Sequence, residues 1–176
     1  TLLSEEEGII GDLESQIIGN TLKLNSIKIK DILTPRSVVY AIEKNTLIKD
    51  IVEDKRTFKF SRVPVYEGNI DNIVGIVLTK KIFKQAITEG EKNLEDIMKP
   101  VFSLHHNIHV AKALNMFIQK KEHMFIVHDS YNQTEGIVTL EDCLETLLGL
   151  EIMDELDTTA DMRKLALNKM KAKRKE

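Results

Sequence analysis

An internal duplication constrains this chain more than any other feature. Asp31-Ile32-Leu33-Thr34-Pro35 returns as Asp96-Ile97-Met98-Lys99-Pro100, an offset of 65 (96 − 31). Gly75-Ile76-Val77 returns as Gly136-Ile137-Val138, an offset of 61 (136 − 75), so the second copy is four residues shorter between these anchors (65 − 61). One repetition at about this period calls for two similar units that bury their apolar faces together, usually about a pseudo-twofold axis.

Each unit reads β-α-β-β-α. In the first, Val38-Val39-Tyr40-Ala41-Ile42 has strand composition, and Asn45 or Thr46 can cap a helix with Leu47, Ile48, Ile51 and Val52 on its apolar side. Arg62-Val63-Pro64-Val65-Tyr66 is a strand whose proline suits a start or an edge. A turn at Gly68-Asn69 and Asp71-Asn72 leads to the strand Ile73–Leu78, and a helix with Ile82, Phe83, Ala86 and Ile87 closes the unit before Glu89-Gly90. In the second unit Val101–Leu104 echoes the first strand, and Asn107 can cap a helix with Val110, Ala113, Leu114, Phe117 and Ile118. Met124-Phe125-Ile126-Val127 echoes Val63-Pro64-Val65-Tyr66. Ahead of both units, Ser4 and three acids open an amphipathic helix over about 4–19, with Ile9, Ile10, Leu13, Ile17 and Ile18 at helical spacing and a stop near Gly19-Asn20. A short piece over 21–33 follows and ends at Thr34-Pro35. The predicted fold class is therefore α/β (α+β), two β-α-β-β-α repeats packed by pseudo-twofold symmetry between an N-terminal helix and a helical C-terminal tail. The expected division is 1–30 for the helix and linker, 31–92 and 93–150 for the repeats, and 151–176 for the tail.

At 176 residues and 42% hydrophobic, the chain has enough apolar surface for one core or two small ones. No run approaches the roughly 18 apolar residues of a membrane helix, and no secretory leader is read. The single cysteine, Cys143, sits on an apolar helix face and reads as a small core residue in a reducing compartment. A net charge of −3 argues against nucleic acid as the main partner. The tail divides by charge: residues 141–161 hold eight acids and no base, and residues 163–176 hold seven bases and one acid. Its basic end could touch an anionic membrane surface at about 1 kcal/mol per charge, but a solvated terminus is the preferred reading.

The stretch Gly136–Asp142 is a short strand running directly into a helix at Thr139. Such a junction exposes unpaired N–H groups and the positive end of a helix dipole. Thr139 and Asp142, three apart, put a hydroxyl and a carboxylate at one mouth, where they could hold the vicinal hydroxyls of a ribose. The alternative is a capping box that binds nothing. A histidine set, His105, His106 and His109, lacks an evident further ligand, and Asn107 reads as a cap between them, so no metal site is assigned. His123 and His128 flank a strand, with a phosphate contact from His123 as the functional reading. No Ser-His-Asp pattern or glycine-rich phosphate loop is found, which favours a binding module over an enzyme.

Asp31-Ile32-Leu33-Thr34-Pro35-Arg36, Ser61-Arg62-Val63-Pro64-Val65-Tyr66, Gly136–Asp142 and the acidic, leucine-rich run to Glu155 occur here in one order. Together they resemble a pair of CBS motifs (a Bateman module), and more narrowly the CBS pair of CorC-type magnesium and cobalt efflux proteins, which are hemolysin-like and related to the cyclin M transporters. The resemblance spans roughly 5–157. It implies two packed sheets that leave two clefts, and ATP or AMP as a regulatory ligand with magnesium accompanying it. Magnesium would enter with the phosphates or bind the acids near 151–157. It further implies a head-to-head homodimer and a transmembrane domain of the same full-length protein, with this module on the cytoplasmic face of the membrane. A dimerisation module without ligand is the rival reading.

By the same resemblance, Thr139 and Asp142 match the ribose-binding pair. The matching first-repeat positions are Leu78 and Lys81, so one competent site and one degenerate cleft are expected. Ser61, Arg62, Val63 and Pro64, with Thr34, should reach the competent site, with Arg62 or Arg36 on the phosphates and Ile137, Val63 and Met124 about the adenine.

Overall fold

The computed structural model describes residues 2–88 and 92–150. The side chains of Ile9, Ile10 and Leu13, the break at Glu89-Gly90 and the whole tail from 151, with its acids and its basic end, lie outside the described residues.

Helix α1 (Leu2–Lys23) runs past the stop expected at Gly19-Asn20. A terminating glycine usually takes a positive φ, and among the described residues only Gly68 and Gly149 do so. Helical bonding instead continues, with Thr21 Oγ1 donating to Ile17 O at 2.7 Å and Leu24 N to Asn20 O at 3.0 Å.

The duplicated aspartates do one local job twice. Asp31 and Asp96 each accept, on Oδ2, the backbone N–H three residues earlier, Lys28 and Asn93, at 3.0 Å. Each pairing closes a 3-10 turn, Ile29–Asp31 and Leu94–Asp96, whose first residue is wholly buried. The leader after each turn then crosses to the other half. Strand β1 (Thr34–Pro35) pairs antiparallel with β7 (Thr134–Thr139), Thr34 opposite Ile137 and Pro35 opposite Gly136. Lys99 does the same against β4 (Asn69–Leu78), exchanging two 2.9 Å bonds with Ile76. The repeated glycines make room for these crossings: a Cβ on Gly136 would lie 2.1 Å from Thr34 O, and one on Gly75 2.7 Å from Lys99 O.

Two sheets result. In the first, β2 (Ile42–Glu43) runs parallel to β3 (Arg62–Glu67), which pairs antiparallel with β4. In the second the order is β1-β7-β6-β5, with β5 (Ser103–His105) parallel to β6 (Met124–His128). Four helices complete the two β-α-β-β-α units: α2 (Ile48–Glu53), α3 (Thr79–Thr88), α4 (Val110–Lys120) and α5 (Leu140–Leu148).

Ile42 and Leu104 face Val65 and Val127 in matching registers, so the offset here is 62 (104 − 42; 127 − 65). Of the four missing residues, three are lost between leader and first strand (65 − 62) and one in the following hairpin (62 − 61). Met124 therefore corresponds to Arg62, each opposite the last residue of its hairpin, Thr139 or Leu78, and not to Val63 as the bare motif suggests. The first strands are also shorter than expected. Val38 N and Val39 N bond back to Pro35 O and Arg36 O, so the chain turns there and only Ile42–Glu43 pairs. Residues Leu47 and His109 occupy the N-cap positions of α2 and α4, without side-chain caps, in place of Asn45 or Thr46 and of Asn107. Helix α2 is cut to six residues because Asp54 caps a new 3-10 turn, Lys55–Lys59, by accepting from Arg56 N.

Burial follows the exchange of leaders. Leu24, Ile29, Ile32 and Leu33 pack with Phe117, Phe125, Val138 and Cys143 of the second half, whereas Leu94 packs with Ile48, Val63, Val77 and Ile82 of the first. The halves meet where Thr134 Oγ1 donates to Asp71 O at 2.8 Å, Arg36 N donates to Glu135 O at 2.8 Å, and the Arg36 guanidinium pairs with Asp71.

Candidate functional site

The mouth at the β7–α5 junction is built by one reciprocal cap. Thr139 has extended backbone angles (φ −110°, ψ 165°), which end the strand and turn its hydroxyl over the first helical turn. Its Oγ1 accepts from Asp142 N at 3.2 Å and donates to Asp142 Oδ2 at 2.8 Å, and the same oxygen accepts Thr139 N at 2.8 Å. Both side chains are half-buried at the start of the nine-residue α5, where the helix dipole favours the carboxylate. Behind them Cys143 is buried, and its thiol is pushed up to about 12, first by desolvation and then by the charges of Asp142 and Glu141. A thiol so far above neutral pH is a packing group, not a nucleophile.

Thr34 and Ile137 flank this mouth as partners across β1 and β7, both half-buried. Met124 is opposite Thr139 on the other side, and Leu140 N donates to the carbonyl of exposed His123 at 3.1 Å. Val63 and Pro64 are buried in β3, Val63 within the core of the first half.

Ser61 and Arg62 sit at the other strand-to-helix junction, where β4 ends at Leu78 and α3 begins. Thr79 ties the junction together: its N donates to Ser61 O at 3.1 Å and its hydroxyl to Phe60 O. An open cleft of about 460 Å³ lies here, lined by residues of the first half alone, Ser61, Arg62 and Leu78 among them. Thr139, Asp142, Thr34 and Ile137 do not line it, so the structure groups the expected residues around two separate mouths. Of the two arginines considered for phosphates, Arg36 is held by Asp71, whereas Arg62 has no ion pair among the described residues.

The sequence reading missed four members of this cleft. Phe58 and Phe83 stack at its edge (ring centroids 4.6 Å apart), and Lys59 and Lys80 add charge. The signal was present in Lys55, Arg56, Lys59 and Arg62 before the junction and Lys80, Lys81 and Lys84 after it. The histidines are dispersed among structural roles. His106 Nδ1 bonds Glu135 Oε2 at 2.7 Å, His105 Nδ1 accepts from Asn107 N at 3.1 Å, and His109 is the N-cap residue of α4. Among the described residues no three His, Cys, Asp or Glu side chains are grouped to hold a metal ion.

These features define a class of molecule: a duplicated α/β module with exchanged leaders and two unlike strand-to-helix mouths. Comparison with known proteins narrows the class. The CBS domain family model matches residues 94–149. The solved CBS domain of a bacterial CNNM/CorC family Mg2+ transporter is 33% identical, with a TM-score of 0.77 over 86% of this chain and 92% of that one. A structure of such a domain in complex with ATP is 32% identical, with a TM-score of 0.73 over 78% of this chain and 98% of that one. Hemolysin C of Rickettsia prowazekii is 32% identical over 149 residues, 84% of this chain but 49% of the relative. The chain therefore belongs to the family of CBS domains of CNNM/CorC transporters, and it spans about half the length of the bacterial curated relatives it matches.

Proposed function

We propose that this chain is a regulatory adenosine-nucleotide-binding module of a CorC-like magnesium and cobalt efflux transporter. The observation that carries the reading is the half-buried Thr139–Asp142 pair, held by its own cap at a helix start and flanked by Thr34 and Ile137. Asp142 accepts the ribose hydroxyls and Thr139 orients it, since a carboxylate has about four lone-pair positions and only acceptors. The ATP complex of a relative supports the choice of ligand. ATP or AMP is the class, with magnesium accompanying the phosphates. Ser61 and Arg62, which line the other cleft, are left out of this site, and Val63 and Pro64 are buried in β3. Two copies pair as a homodimer. The module lies on the cytoplasmic face of the membrane, attached to the transmembrane domain of the same full-length protein, and it acts by binding and not by catalysis. Nucleotide shifts the attached domain only by its differential affinity for two states of the module.

A ligand-free dimerisation module is the second reading, and the capping box itself favours it, because the cap alone accounts for both residues. Calorimetric titration of ATP and AMP, with and without magnesium, into the chain and its Asp142→Asn variant separates the two. Asparagine at this third helical position can still accept Thr139 N through its amide oxygen, so stability should fall only by the charge removed from the helix start, about 0.3–1 kcal/mol. Loss of the charged acceptor should weaken nucleotide about tenfold. Nucleotide affinity unchanged in the variant would sink the ribose assignment, and absence of binding by the parent chain would leave the dimerisation module.

A further inference from the structure

We propose that the cleft at the β4–α3 junction is a second, separate anion site, which takes the phosphate groups of a phosphorylated ligand through Arg62, Lys59 and Lys80. It rests on the preceding reading only in taking phosphate as the anion. The cleft lining holds these three cations and no acid, and among the described residues none of the three is in an ion pair. Three unneutralised cations around one concavity of about 460 Å³ raise the local concentration of anions. That volume lies in the range of small-molecule sites. The stacked Phe58 and Phe83 form an apolar wall beside the charges, and a low-dielectric wall strengthens their pull on an anion.

The second half is the natural control for this cleft. Registers equate Leu78 with Thr139, so Lys80 and Lys81 stand where the second half has Glu141 and Asp142. A hydroxyl and a carboxylate, which can hold a sugar diol, are replaced by an aliphatic group and ammoniums that only donate. The same junction has been converted from a reader of hydroxyls into a receiver of negative charge. Degeneracy as a ribose site and competence as an anion site are one set of substitutions.

Inorganic tripolyphosphate is the probe, titrated calorimetrically into the whole chain at low and at moderate salt, since screening weakens such contacts. Saturable binding is expected, weaker at moderate salt, unchanged in Asp142→Asn and about tenfold weaker in Lys80→Glu. Lys80 is exposed on the first turn of α3, so the variant should keep the fold, and circular dichroism verifies that. Lys112→Glu, an exposed change on α4, serves as the control for general charge and should leave binding intact. No saturable binding at low salt, or equal weakening by Lys80→Glu and Lys112→Glu, would overturn the site. Binding lost in Asp142→Asn but kept in Lys80→Glu would place the anion at the Thr139 mouth instead. The nucleotide reading fails separately, through ATP and AMP affinities that ignore Asp142→Asn. Adenosine, which lacks phosphate, should be insensitive to Lys80→Glu, and comparing ATP with tripolyphosphate tells nucleotide phosphates from free polyphosphate.

Discussion

Asp54 shows how one residue reshapes a repeated unit. Its carboxylate accepts Arg56 N at 2.9 Å, lies against the Arg56 guanidinium and accepts Tyr40 OH at 3.1 Å, and Tyr40 OH also meets Thr57 Oγ1 at 2.9 Å. Side-chain bonding from Arg56, then its backbone N–H, lowers Asp54 from the ordinary 3.8 to about 2, and burial raises Tyr40. A lowered carboxyl contributes stability that is whole above its unfolded value and is lost as pH falls through the folded one. For Asp54 that window runs from about 4 down to about 2. An NMR titration of the Asp54 side-chain carbon should show a midpoint well below that of an ordinary aspartate, and Arg56→Ala should return it upward. A midpoint near 3.8 in the parent chain would mean that the guanidinium does not hold the carboxylate in solution. Asp142 also caps a turn, but at a strand-to-helix junction whose strand pairs with β1.

At the scale of elements, the crossing of β1 over β7 depends on a missing side chain. A Cβ at Gly136 would have to share space with Thr34 O and the Leu33 side chain, and the backbone oxygen cannot step aside. Gly136→Ala should therefore cost about 2 kcal/mol or more and raise the exchange of β1 and β7 amides. Gly19→Ala, in α1 with nothing within 4 Å of the added carbon, should stabilise by up to about 1 kcal/mol. Denaturant melts of the two variants check the pair, and equal effects would refute the steric account. The glycine pair was legible as a motif in the sequence, as were the β-α-β-β-α order and the Thr139–Asp142 junction, because each is written in local spacing. Where a leader goes is not local: nothing in Asp31–Pro35 says that it joins the other half's sheet. The truncated α2 was legible only in hindsight, since Leu47, Ile48, Ile51 and Val52 carry a helical pattern that Asp54 ends by capping a new turn. Lys80 and Phe58 looked like ordinary surface residues until the fold placed them around one cleft.

For the whole molecule, exchange of leaders makes the two halves one cooperative object. Ile29 lies before the first repeated motif yet is wholly buried against the second half, and Leu94 lies at the start of the second repeat yet is wholly buried in the first. Truncating either to alanine removes a fully buried aliphatic side chain, a loss of about 2–5 kcal/mol. The position of the damage distinguishes this architecture from two self-contained repeats. Ile29→Ala should loosen amides of β6, β7 and α4, more than 80 residues away in the chain (110 − 29 = 81 to the start of α4). Leu94→Ala should loosen β3, β4 and α2, which precede it. Hydrogen exchange resolved by segment reads both. If Ile29→Ala instead loosened β3 and β4 first, the leader would belong to its own repeat. The same geometry carries a consequence for regulation. Because the chain passes from α1 through buried Leu24, Ile29, Ile32 and Leu33 into β1, and β1 pairs with the strand that ends at Thr139, a displacement of α1 is expected to reach the Thr139 mouth. By linkage, a ligand at that mouth must bias α1 by the same free energy. Saturating ATP should therefore protect the amides of 24–35 as well as those of β7 and α5, and protection confined to 139–148 would show that the mouth and the leader are uncoupled.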